Sequence, residues 1–244
     1  MQKIFDFPKT IINIFEKLNN NGYRPIVVGG FVRDKIMGHI HMPKDMDIEV
    51  YGLEKIENLV EFLSEFGSVN LVGKSFGVLK LRIDSMEIDL SLPRLEHKSA
   101  KGHKGFIVSL EPSLSFSHAA RRRDFTINAI GYDYFADRIL DPFEGQKDID
   151  EKMLRCVDPN TFVEDPLRVL RAVQFAARFS LSLDETLERL CKEMIKSDLL
   201  DELPKERIFE EIKKLLLQSP KPSYGFELLQ RVEGETLFKE LFEC

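Results

Sequence analysis

No apolar run in this chain approaches the roughly 18 to 20 residues that a membrane-spanning helix needs, which argues against a helical membrane protein. Asp6 and Pro8 stand where a signal peptide would carry its apolar stretch, so a cytoplasmic protein is expected. Cysteine is scarce. Cys156, Cys191 and Cys244 are an odd number at no metal-like spacing, which points away from a disulfide framework and from a zinc site. A net positive charge is also missing: 35 Lys and Arg against 41 Asp and Glu leave −6, so the surface as a whole is no nucleic-acid magnet. What is present, 43% apolar and 31% charged residues over 244 positions, suits one soluble domain or two small ones with a real core.

The charge is unevenly spread. Between Arg94 and Arg123 the positive residues are Arg94, Lys98, Lys101, Lys104, Arg121, Arg122 and Arg123, against Glu96 and Glu111 alone. A basic segment inside an acidic chain points to a polyanionic ligand or partner. The hydrophobic pattern predicts a helix over Phe5–Asn20, a buried strand over Arg24–Gly30, a short helix over Phe31–Met37 and a strand over Ile48–Tyr51. A helix over Leu53–Phe66 and strands over Phe76–Ile83 and Met86–Leu92 follow. From Asp165 onward the pattern is helical: Arg168–Phe179, Asp184–Ile195, Lys205–Leu217 and Ser223–Val232. The expected class is therefore α+β, a mixed sheet with flanking helices followed by an all-helical part, with the boundary between Asp150 and Glu164.

Five segments carry chemistry. Gly29 and Gly30 end a buried strand, and Arg33 follows in the first turn of a helix. This arrangement lets backbone and guanidinium approach an anion such as a triphosphate, although it also describes a plain tight turn. Asp45 and Asp47 lie two apart at the entry to a strand and so project to one face. They form a hard-oxygen site for paired Mg²⁺ ions about 3.5 to 4 Å apart, or a solvated strand end. In Met86–Leu92 the alternation puts Glu87, Asp89 and Ser91 on one face, so either acid can complete that site if the two strands are neighbours. Arg121-Arg122-Arg123-Asp124, followed by Asn128, suits a site that meets phosphate charge and sugar hydroxyls, or a basic turn. Asp165 and Arg168, three apart beside Pro166, offer an acceptor and a donor fork to a nucleobase edge, or pair with each other.

In this order, Val28-Gly29-Gly30-Phe31-Val32-Arg33-Asp34, Asp45-Met46-Asp47, Arg122 to Ala129, Asp141-Pro142-Phe143 and Glu164 to Arg171 resemble the class II tRNA nucleotidyltransferases, the family of CCA-adding enzymes and bacterial poly(A) polymerases. The resemblance implies a polymerase-β-like nucleotidyltransferase head over residues 1–150 and a helical neck with a partial body over 151–244. It implies that Asp45 and Asp47 hold catalytic Mg²⁺, with Asp89 as third acid. Gly29, Gly30 and Arg33 would contact the triphosphate. Arg123, Asp124 and Asn128 would meet phosphate and ribose, while Asp165 and Arg168 would pair with the base and Arg171 would lie nearby. CTP and ATP are the implied substrates and the 3′ end of tRNA or another RNA the implied acceptor. Lys98, Lys101, Lys104, Arg121 and Arg122 are the candidates for RNA phosphates.

Two departures shape the reading. Members of the family usually continue into a helical body and tail, so the expectation is head and neck only: a fragment, a chain whose missing part a homodimer or another partner supplies, or an enzyme with a different substrate. The five histidines include no His-Asp doublet, which gives no support for a phosphohydrolase domain. Lys74-Ser75-Phe76-Gly77 stands where poly(A) polymerases tend to carry a paired-Arg and aromatic signature, which favours the CCA-adding branch over poly(A), CC-only or A-only addition. A non-catalytic RNA-binding remnant is the reading from another class.

Overall fold

The computed structural model describes residues 3–38, 45–72, 77–98, 106–111, 113–197 and 199–234. Lys74, Ser75, Phe76, Lys101, Lys104 and Cys244 lie outside the described residues, and Lys98 is placed by its backbone alone.

The chain divides into two compact units. The first contains Met1–His97, Ile107–Arg123 and Ile127–Gln146; the second contains Lys98–Phe106, and so one end residue each of β6 and β7 below, Asp124–Thr126 and the chain from Lys147 onward. Elements of the first unit are α1 (Lys9–Asn20), β1 (Arg24–Val28), α2 (Gly30–Ile36), β2 (Asp45–Tyr51), α3 (Asn58–Leu63), β3 (Ser68–Val72), β4 (Val78–Ile83) and β5 (Met86–Ser91). They continue with β6 (Arg94–Lys98), β7 (Phe106–Leu110), α4 (Phe116–Ala120), β8 (Gly131–Asp133) and β9 (Arg138–Leu140). Seven strands make one sheet in the order β3-β4-β5-β2-β1-β8-β9. Only β2 and β5 run parallel; every other neighbouring pair is antiparallel. β6 and β7 form a separate two-stranded ribbon.

The placement follows from side-chain pattern. β1 is apolar from Pro25 to Val28, all buried, and lies inside the sheet between β2 and β8. In β2 the residues Met46, Ile48 and Val50 are buried on one face, so Asp45, Asp47 and Glu49 share the other. β5 alternates as its sequence predicts, with Ile88 and Leu90 fully buried. α1 buries Ile11, Ile14, Phe15 and Leu18, one helical stripe. Phe7 stacks on Phe31 with 5.2 Å between ring centroids, and Phe5 packs on Tyr132 at 4.7 Å, which fixes the start of α2 against the sheet.

The second unit is mainly helical. After α5 (Gly145–Asp150), whose first two residues belong to the first unit, come β10 (Met153–Leu154), α6 (Pro159–Phe162), α7 (Leu167–Phe179), β11 (Ser182–Leu183), α8 (Glu185–Lys196), α9 (Lys205–Gln218) and α10 (Pro222–Arg231). The short parallel pair of β10 with β11 adds two strand segments to a region whose sequence reads as helical. Asp184 caps α8 by accepting the Leu187 N–H at 3.0 Å, and Asp158 caps α6 through the Asn160 N–H at 2.9 Å. Phe125 belongs here too: its ring lies 5.5 Å from Phe175 and 6.1 Å from Phe162, and the neighbouring backbone bonds Thr126 N–H to the Arg155 carbonyl. Among the described residues no helix is long and apolar enough to cross a membrane.

Candidate active site

The parallel register of β2 on β5 sets Asp47 opposite Asp89 and Asp45 opposite Glu87. Paired positions in neighbouring strands share a face, so β5 sets an acid beside each aspartate, Asp89 next to Asp47 and Glu87 next to Asp45. Asp47 and Asp89 line one cavity of about 280 Å³ together with Ser91, Arg94, Arg122 and Arg123. Asp45 lines a different, wider depression with Glu87. Lys80, opposite Asp89 on β4, lies 3.0 Å from the Asp89 carboxylate and also pairs with Glu87.

Asp47 opens onto the cavity, yet the protein around it strips part of its hydration and raises its pKa. Arg123 opposes that rise, while the negative charges of Asp89, Asp45 and Glu49 add to it. A cation at this point would relieve the crowding. Among the described residues no three His, Cys, Asp or Glu side chains converge closely enough to hold a metal alone. Magnesium does not require such a cage, because it takes one or two carboxylates and completes its shell with water and substrate phosphates. Asp47 and Asp89 offer two such carboxylates at one cavity.

Gly29 has φ +70°, and a Cβ there would stand 3.0 Å from the Arg123 Nη1 and 3.5 Å from the Asp47 Oδ2. The left-handed backbone conformation favours glycine, and the 3.0 Å approach of the Arg123 guanidinium adds to this. At Gly30 a Cβ would meet only the Arg33 guanidinium at 3.5 Å, ordinary contact, so the second glycine is not sterically demanded. Arg33 is buried, 4% exposed, and held from both sides: its Nε donates to Asp34 at 2.8 Å and its Nη1 to the Asn128 Oδ1 at 2.6 Å. The Asn128 carbonyl in turn accepts from the Arg123 Nη1 at 3.3 Å.

One residue of this face escaped the sequence reading. Glu49, fully buried on β2, accepts Arg123 Nη2 at 2.9 Å and Arg122 Nη2 at 3.1 Å on one oxygen and the Tyr51 hydroxyl at 2.9 Å on the other. Burial pushes its carboxyl up, but the two guanidiniums and the hydroxyl outweigh this and hold it below the usual range. The available signal was the continuation of the alternation, Asp45, Asp47, Glu49. Arg122 thus turns inward beside Arg123, while Arg121 is exposed.

The remaining predicted residues belong to the second unit. The Asp124 Oδ2 is gripped by Arg171 through Nε at 2.8 Å and Nη2 at 2.5 Å, and its Oδ1 accepts the Phe125 N–H at 2.8 Å. Asp165 caps the start of α7 by accepting the Leu167 N–H at 3.1 Å and pairs with Arg207 on α9 at 3.3 Å. Arg168 donates to the Thr161 carbonyl at 2.7 Å. Asp148, 2% exposed, accepts the Thr126 hydroxyl at 2.5 Å and pairs with Arg155; no sequence feature pointed to it.

Comparison with known proteins adds family and length. Residues 26–155 match the family described as the poly(A) polymerase head domain, and residues 180–243 match the one described as the probable RNA and SrmB-binding site of polymerase A. The multifunctional CCA protein of Stenotrophomonas maltophilia (strain K279a) is 38% identical over 200 residues, 81% of this chain and 46% of that protein. Poly(A) polymerase I of Haemophilus influenzae is 31% identical over 247 residues, 97% of this chain and 52% of that protein. A solved CCA-adding enzyme in complex with ATP aligns with a TM-score of 0.76 and 29% identity, covering 96% of this chain and 54% of the other. The chain spans about half the length of the relatives it matches.

Proposed function

Because the chain belongs to the poly(A) polymerase head-domain family, we propose that it is a template-independent RNA nucleotidyltransferase that adds CMP and AMP, from CTP and ATP, to the 3′ end of tRNA in the cytoplasm. The observation that carries the reading is the facing pair Asp47 and Asp89 in a cavity whose other charged lining is Arg94, Arg122 and Arg123. Acids and guanidiniums side by side suit a triphosphate, which brings its own negative charge and shares a cation with the acids. Asp45 and Asp47, with Asp89 beside them, would hold magnesium, which when bound would supply activation of the attacking hydroxyl and charge compensation for the leaving pyrophosphate.

The protein's own part is positioning and charge stabilisation. Arg33, Arg122 and Arg123 orient the phosphates so that the RNA 3′-hydroxyl faces the α-phosphate and pyrophosphate leaves in line. Asp124 accepts a ribose hydroxyl, and Asp165 and Arg168 present acceptor and donor to the base in place of a template. The head over residues 1–150 then holds the reacting groups, and the helical part over 151–244 reads the base. Lys98, Lys101, Lys104 and Arg121 contribute to the RNA path.

Poly(A) addition is the second reading, favoured by the 31% identity to poly(A) polymerase I across 97% of the chain. Extension of tRNA transcripts ending before CCA, after C and after CC, with CTP, ATP or both, separates the two. Stepwise C, C, A followed by a stop supports CCA addition, long A tracts select poly(A) synthesis, and no extension with any acceptor removes both.

A further inference from the structure

Three consecutive arginines would ordinarily splay apart, yet the guanidiniums of Arg122 and Arg123 converge on one oxygen of Glu49 at 3.1 and 2.9 Å. Glu49 lies two residues beyond Asp47 on the same strand face, so it extends the row Asp45, Asp47, Glu49. It is nevertheless unlike those aspartates. It is buried, its first oxygen takes two charge-assisted bonds and its second takes the Tyr51 hydroxyl at 2.9 Å, which leaves it fully engaged. The same two arginines line the cavity with Asp47 and Asp89.

We infer that Glu49 is a positioning residue that holds Arg122 and Arg123 in the orientation in which they take the nucleotide's phosphates. Glu49 is thus an anchor rather than a ligand of substrate or metal. This inference rests on the nucleotidyltransferase reading above.

The sign of one measurement decides it. Removing a negative charge beside a cavity that binds an anion should strengthen binding if Glu49 only damps the positive potential. If Glu49 positions the arginines, binding should weaken although the cavity has become more positive. Glu49→Gln keeps the size and one acceptor oxygen while removing the charge, and Tyr51→Phe removes the other contact to the same carboxylate without touching either arginine. Binding of ATP and of inorganic triphosphate would be measured by calorimetry with Mg²⁺ for the full chain and both variants, together with melting temperatures.

The expected result is that Glu49→Gln weakens both ligands about tenfold and to a similar degree, since the defect lies in phosphate contacts, each charge-assisted bond being worth about a factor of ten. Tyr51→Phe should lower the melting temperature yet leave affinity within about twofold. Unchanged or tighter binding in Glu49→Gln overturns the inference, as does an equal loss of affinity in Tyr51→Phe. Failure of the wild-type chain to bind either ligand would instead remove the nucleotidyltransferase reading itself. If Glu49→Gln does not fold, Glu49→Asp, which keeps the charge but shortens its reach, should show the same loss of triphosphate affinity.

Discussion

Asp47 on β2 and Asp89 on β5 face one another across the only parallel pairing in the seven-stranded sheet, so a single strand crossover brings together acids 42 positions apart in sequence. Replacing Asp47 by Asn keeps the shape and removes the charge. Transfer should fall about a hundredfold or more, the usual loss when one element of transition-state charge stabilisation is removed. Melting in EDTA should not fall, because burial, with the charges of Asp89, Asp45 and Glu49 added to it, outweighs Arg123 and disfavours the ionised Asp47 carboxylate. Single-turnover extension and thermal melts test the two halves separately, and a variant that extends RNA at the wild-type rate would remove Asp47 from the mechanism.

Asp124 and Arg171 form a forked pair that fixes the carboxylate proposed to meet the ribose. Asp124→Ala should narrow the preference for CTP over dCTP about tenfold, the worth of one hydrogen bond to a charged group. Arg171→Ala should do the same indirectly and also destabilise the protein by about 2 kcal/mol, because it leaves the 8% exposed Asp124 without its main partner. Competition between CTP and dCTP at equal concentration measures the first effect, and an undiminished preference in both variants would reassign Asp124 to structure alone.

Asp165 and Arg168 are each tied to local structure, Asp165 to the start of α7 and to Arg207, Arg168 to the Thr161 carbonyl. These contacts limit their rotamers, and a fixed donor and acceptor discriminate bases better than mobile ones. Arg168→Ala should lower kcat/KM for CTP and ATP about tenfold or more while UTP and GTP, already poor, change less. Specificity constants for the four nucleotides decide this; an equal loss for all four would point to helix disruption instead.

The central strands were readable because their chemistry is periodic. β1 is apolar at every buried position and β5 alternates strictly, so the acids of β5 could be assigned to one face before their neighbour was known. β3, Ser68–Val72, has no fully buried residue and gave no such signal. The helix expected over Leu53–Phe66 shrinks to Asn58–Leu63, since Leu53 and Ile56 are buried from a turn and mimic helical spacing. Glu49 was missed because one acid in a strand says nothing of what faces it; its two arginine partners lie more than 70 positions away. The membership of Asp124–Thr126 in the second unit likewise depends on Phe125 meeting Phe162 and Phe175, a long-range contact that periodicity cannot carry.

The helical part should show a pH dependence of its own. Glu188 on α8 is bonded first by Arg231 of α10, against a smaller opposing effect of burial, and also by Lys192 at 3.0 Å, and its pKa is lowered. A carboxyl whose folded pKa lies below its unfolded value contributes stability above the unfolded value, near 4.5, and loses it as pH falls through the folded one. Since Arg231 and Lys192 are partly exposed, solvent screening holds the contribution to about 0.5 to 1 kcal/mol. Glu188→Gln should therefore be less stable than wild type at pH 7 by that amount, and the two denaturation midpoints should converge as pH drops toward 3. High salt should shrink the gap at pH 7 as well, because a screened pair loses its advantage while a packing defect would not. A gap that persists at low pH would mean that α8 and α10 are joined by packing rather than by charge.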